Sequence, residues 1–295
     1  MDIEFGGCEK ELFLLISQRQ MKEWCPAAVA AFKSAMPPVD VPYPDFYIGS
    51  AKTAESTRLA LVEELESPTE EKGAEKSYME EIHGAEGDAI LIYQNAFTGR
   101  KWDYHAQEKF THFIWHELGH FFAIYNENSE DLFFRFMDHP DDYVAALGYS
   151  FWSEFIAETI ACKISPDEAI DWTRENWYPT RNSLVGYLRT AFTTGDYTID
   201  YYALAMYFAT LLSDKKTLSY LKALDVDLDK TGLTEIVDEE YRETMEELKS
   251  YLSKLASREQ YWRVKLQDLE YFGELIIDLE RARKMAEFKG QIGRV

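Results

Sequence analysis

Apolar residues recur at helical spacing across residues 8–36, and the pattern stops at Met36-Pro37-Pro38, where two prolines remove backbone donors. A Pro-rich connector over 37–44 leads into Phe46-Tyr47-Ile48, which reads as a short strand. Residues 53–66 read as a helix, and the acidic, Gly-containing stretch after them, up to residue 88, reads as a surface loop with some helix. The strongest strand pattern runs from Asp88 to Phe97, with Thr98-Gly99-Arg100 as its closing turn. Residues 105–125 and 150–164 then form two strongly apolar helices. Beyond Pro166 the chain reads as helical throughout: 167–176, 182–192, 199–213, 215–223 and two long stretches across 233–289. The last two carry Tyr241, Met245, Leu248, Leu252 and Leu255, then Leu269, Phe272, Leu275, Ile276 and Leu279, as expected of a helical hairpin packed on the body. Strands fall only before residue 100, so the expected class is α+β, with a small N-terminal sheet and a mostly helical C-terminal part. The expected division is a core over 1–164 and an all-helical part over 165–295.

Composition narrows the function. A hydrophobic content of 46% with 15% aromatics belongs to a chain that buries a core. The net charge of −22 argues against nucleic acid as a partner, because its phosphates would be repelled, and disfavours an anionic membrane surface. No stretch approaches the roughly 20 apolar residues that span a bilayer. The N-terminus, MDIEFGGCEKELFLL, has acids where a secretory signal carries bases, so a cytoplasmic location is expected. Cys8, Cys25 and Cys162 are widely spaced and form no CxxC pair, as reduced thiols would be. The pattern sets no oligomeric state.

The chemistry concentrates at His116-Glu117-Leu118-Gly119-His120. Residues four apart on a helix lie about 40° apart around the axis, one turn above each other. Two imidazoles so placed reach one Zn²⁺, and Glu117 can hold a metal-bound water and take its proton. Phe113, Ile114, Trp115, Phe121 and Phe122 make the helix a buried one, and two histidines and a glutamate inside it need compensation that a metal supplies. His112 continues the row, but about 12 Å along the axis from His120 it is too far to share that metal, so it reads as a packing or supporting residue.

A third ligand must come from elsewhere. The extended HExxHxxGxxH arrangement is excluded, because Ala123 and Asn126 stand at its Gly and His positions. Ser153-Glu154-Phe155-Ile156-Ala157-Glu158 places two carboxylates four apart on an otherwise apolar helix. One of them would bind zinc and the other would orient a ligand imidazole, in either order. His139, in an acidic loop, is the rival ligand.

This combination resembles the gluzincins, the HExxH peptidases whose third ligand is a glutamate. SEFIAETIA is similar to the ligand helix of lethal-factor-like and thermolysin-like members, and the resemblance as a whole covers roughly residues 88–162. The resemblance implies a zincin-like core, Zn²⁺ held by His116, His120 and Glu154, with Glu158 supporting a ligand imidazole. It further implies a tyrosine near the oxyanion, for which Tyr149 is the first choice and Tyr143 or the Tyr201-Tyr202 pair are alternatives. Asn95-Ala96 resembles the edge strand on which such enzymes lay a peptide substrate. Glu127, Glu130, Asp131 and Asp138 would then favour basic side chains in a peptide or protein substrate. The expected function is zinc-dependent peptide hydrolysis with Glu117 as general base. The alternative is a catalytically inactive zinc-binding regulatory or interaction module on the same fold.

Overall fold

The computed structural model describes residues 3–6, 16, 18–50, 52–67, 79–93, 106–125, 142–165, 204–205, 208–209, 212 and 239–292. Its elements are β1 (Ile3–Gly6), α1 (Gln18–Ala35), β2 (Asp45–Gly49), α2 (Ala54–Glu64), β3 (Met79–Gly84), β4 (Gly87–Tyr93), α3 (Ala106–Tyr125), α4 (Tyr143–Ile164), α5 (Glu239–Ala256) and α6 (Leu266–Ile292). The chain is mixed α+β, and all described strands precede residue 100. It divides into two compact units: residues 1–138 with 163–170, and residues 139–162 with 171–295. The sequence reading placed the boundary at 164/165; in these units Tyr143–Cys162 of α4 groups instead with α5 and α6.

In the first unit the sheet order is β1-β2-β4-β3, with β1, β2 and β4 parallel and β3 antiparallel to β4. The central position of β4 explains its sequence: Ala89–Tyr93 is buried on both faces, so it reads as a continuous apolar run with no alternation. One face, with Ile82, Ala89, Leu91 and Tyr93, packs against Ala54 and Leu61 of α2. Side chains two apart on a strand share a face, so Phe46, Ile48, Ile90 and Ile92 point the other way. In α1, Met21, Trp24, Cys25, Ala28, Val29 and Phe32 form a buried stripe at three- and four-residue spacing. Phe32 and Phe122 meet edge to face at 6.1 Å, and the Trp115 indole donates to the Ala28 carbonyl at 3.0 Å, which fixes α3 against α1.

Two strands were not expected. β1 had no assignment, and β3 falls in the acidic stretch read as a surface loop with some helix. Met79-Glu80-Glu81-Ile82-His83-Gly84 is half polar, and its polar residues are wholly or partly buried by partners that no local pattern shows. Glu80 takes both bonds from Arg58 Nε, at 3.1 and 3.0 Å, and one from the Tyr93 hydroxyl at 2.5 Å. Arg58 is fully buried. Arg58→Met is therefore expected to leave a largely desolvated carboxylate and to cost about 2–3 kcal/mol, read as a lower urea midpoint; an unchanged midpoint would show that the pair is not coupled.

Burial also pushes the Cys25 thiol up to about 12. An unfolded thiol releases its proton near pH 9, so above that pH the unfolded chain loses a proton that the folded chain keeps. Tyr261 acts in the same direction, its phenol pushed up to about 12 by burial. Stability is expected to fall as pH rises from about 9 to 12. At pH 8 an alkylating reagent should modify Cys25 in urea and leave it intact in the native chain; rapid native modification would contradict its burial.

In the second unit, α4 is buried nearly all round, whereas α5 and α6 each bury one side. α4 starts at Tyr143 rather than near residue 150, so Gly148 lies inside it. A Cβ on Gly148 would stand 1.8 Å from the Leu269 carbonyl oxygen, and one on Gly273 would stand 1.9 Å from that of Val144. Here glycine marks a close helix crossing, not a helix end. At the α5–α6 turn, Asp268 accepts from the Lys265 backbone N–H at 2.9 Å, which caps α6, and from the Tyr251 hydroxyl, which ties α5 to it.

No helix among the described residues is long and apolar enough to cross a membrane. Residues 167–176, 182–192 and 215–223, and most of 199–213, lie outside the described residues, so those expected helices have no counterpart to compare.

Candidate metal centre

α3 carries the motif in the first unit. His116 is 5% exposed and Glu117 7%, and Ile114, Leu118, Phe121 and Phe122 around them are buried. The rings of His116 and His120 lie 4.8 Å apart at 83°, with their Nε2 atoms 3.2 Å from each other. Two nitrogens bound tetrahedrally to zinc at about 2.0–2.1 Å stand about 3.3 Å apart, so the pair already has the spacing a shared Zn²⁺ needs. The same distance permits a hydrogen bond when one ring carries its proton on Nε2. Either way, both nitrogens point to one place.

Glu117 is oriented from the sheet. Its Oε2 accepts the Glu81 backbone N–H of β3 at 2.9 Å. A carboxylate held by a backbone amide keeps one orientation, as a proton acceptor beside a metal must. His112, one turn before His116, has Nδ1 3.0 Å from Ser165 Oγ.

Glu154 and Glu158 lie one turn apart on α4, in the second unit. Glu154 is half-buried, and Glu158 is 4% exposed and accepts the Cys162 thiol at 3.5 Å. Tyr149 lies inside the same helix instead of before it, buried against Trp152 with ring centroids 5.7 Å apart. Five residues of helix turn its side chain about 140° away from that of Glu154, so the two leave α4 on different faces. Tyr143, an alternative, is exposed at the helix start. Asn95, Ala96, Glu127, Glu130, Asp131, Asp138, His139, Tyr201 and Tyr202 lie outside the described residues.

The strand leading to Asn95-Ala96 is β4, which is paired on both sides; the sheet edge beside α3 is β3. Sequence reasoning also missed a second polar group, Glu81, His83 and Asp88, whose potential ligand atoms all lie within 4.8 Å of one another. Gly84-Ala85-Glu86-Gly87, a two-residue turn between glycines, was the available signal: as a hairpin it sets His83 directly opposite Asp88.

The chain matches no protein-family profile, no curated protein and no solved structure.

Proposed function

We propose that this chain is a zinc-dependent peptidase of the gluzincin type, built on a zincin-like core. The observation that supports it most is the convergence of the His116 and His120 Nε2 atoms at 3.2 Å on a buried helix, with the buried Glu117 carboxylate beside them. His116, His120 and Glu154 would hold the metal, with Glu158 orienting a ligand imidazole. Two acids one turn apart on an apolar helix favour that pairing. Zinc bound there supplies Lewis acidity and a water with a pKa lowered to about 7.

The chain's own residues do the rest. Glu117, its carboxylate held through Oε2 by the Glu81 amide, takes the proton of the attacking water and passes it to the leaving amine. An extended peptide along the outer edge of β3 would lie beside Glu117, held by main-chain hydrogen bonds. Tyr149 was the first choice of oxyanion donor on resemblance, but its direction on α4 speaks against it. Cys25 and Cys162 are buried and unbridged, which agrees with a reducing, cytoplasmic setting.

Incubating the purified chain with an unstructured polypeptide, with and without a chelator, tests the reading. Cleavage that the chelator stops and Zn²⁺ restores is expected. Tightly held zinc with no cleavage would favour the inactive binding module.

A further inference from the structure

We propose that the β3–β4 hairpin carries a second divalent-cation site, formed by Glu81, His83 and Asp88 beside Tyr125 at the end of α3. Glu81 and His83 are two apart on β3, so they share the face turned toward α3, and Asp88 stands directly opposite His83 on β4. His83 Nδ1 lies 2.5 Å from Asp88 Oδ1, and the Tyr125 hydroxyl donates to Asp88 Oδ2 at 2.7 Å. The His83 and Asp88 side chains are 1% and 3% exposed.

A hydrogen-bonded cluster alone leaves one atom of Glu81 unaccounted for. Its Oε1 is closed to solvent and has no hydrogen-bond partner among the described residues, although the residue as a whole is only partly buried. Burial, then the negative charges of Asp88 and Glu117, and then a hydrogen bond to Asp88, push its carboxyl well above the usual carboxylate range. Arg58 does not relieve that charge, since its Nε is bonded to Glu80, which points to the opposite face of the strand. Three carboxylates and one imidazole in a buried patch must hold either an extra proton or a cation.

The donor set suits the cation. One imidazole nitrogen and two carboxylates are ligands for Zn²⁺ or Mn²⁺. Bonds of about 2.0–2.3 Å put ligand atoms up to about 4.6 Å apart, close to the observed spread. On binding, the His83–Asp88 hydrogen bond is exchanged for a bond from each to the metal, and Tyr125 remains on Asp88 as the supporting donor. Because the Glu81 amide also holds Glu117, this site would brace the strand that orients the proposed general base.

Metal content separates this site from the His116–His120 centre. The full-length chain is loaded with Zn²⁺, dialysed and analysed by mass spectrometry. The untouched chain is expected to retain two equivalents, His116→Ala/His120→Ala one, Asp88→Asn one, and the triple variant none. Glu81→Gln, which changes the charge and hardly the shape, should weaken the second equivalent at least tenfold, with the helical circular dichroism unchanged. If His116→Ala/His120→Ala retains no zinc while the untouched chain retains one, the second site is rejected and the first stands. If that double variant keeps the single equivalent of the untouched chain and Asp88→Asn loses it, the peptidase reading fails and this one holds. No retained zinc in any form rejects both.

Discussion

Glu117→Gln is expected to bind zinc at the same stoichiometry as the unaltered chain and to lose about 10²–10⁴-fold in kcat/KM, the range that a positioned proton-transfer group contributes. The amide oxygen has the shape of the carboxylate and can still accept from the Glu81 N–H, so the packing around α3 should persist. What the amide cannot do is take a proton from water. His116→Ala is the companion measurement, expected to lose zinc and activity together, because it removes half of the nitrogen pair. Full turnover by Glu117→Gln would remove the proposed mechanism, whatever the metal content.

The second large effect concerns stability. Gly148→Ala is expected to destabilise the second unit by about 3 kcal/mol, at the upper end of what overpacking costs. The new methyl would stand 1.8 Å from the Leu269 carbonyl oxygen, 2.7 Å from its carbon and 2.9 Å from the Gly273 nitrogen. All three are backbone atoms of α6, so no side chain can swing aside; the helices must part by over an ångström. That separation would loosen the contact of Phe151 with Phe272, now 5.9 Å between ring centroids. Since α4 also carries Glu154 and Glu158, a peptidase dependent on them should lose activity alongside stability. The measurement is the urea midpoint followed by helical circular dichroism, with Gly273→Ala as the reciprocal test. An unchanged midpoint in both variants would mean that the helices do not cross this closely.

The sequence alone determined what depends on near neighbours in the chain. The pairing of His116 with His120, and of Glu154 with Glu158, follows from helical spacing, and the apolar residues around the first pair foretold the burial found in α3. The α+β class, β2, β4, α2 and the two long C-terminal helices were legible for the same reason: each has an apolar run or stripe of its own period. Elements whose polar residues are satisfied from a distance were not legible. β3 reads as a solvated acidic loop because Arg58 and Tyr93, which bury Glu80, lie 22 and 13 residues away. The close approach of Gly148 to the backbone of α6 was not legible either, because its partner lies beyond any local window.

Tertiary structure alone decided that Glu117 is held by the Glu81 amide and that β3, not the strand before Asn95, forms the sheet edge beside it. It also decided that Glu81, His83 and Asp88 gather in one patch. Each depends on strand pairing or helix crossing, where a shift of one residue turns a side chain to the other face. Local periodicity carries no information about that register.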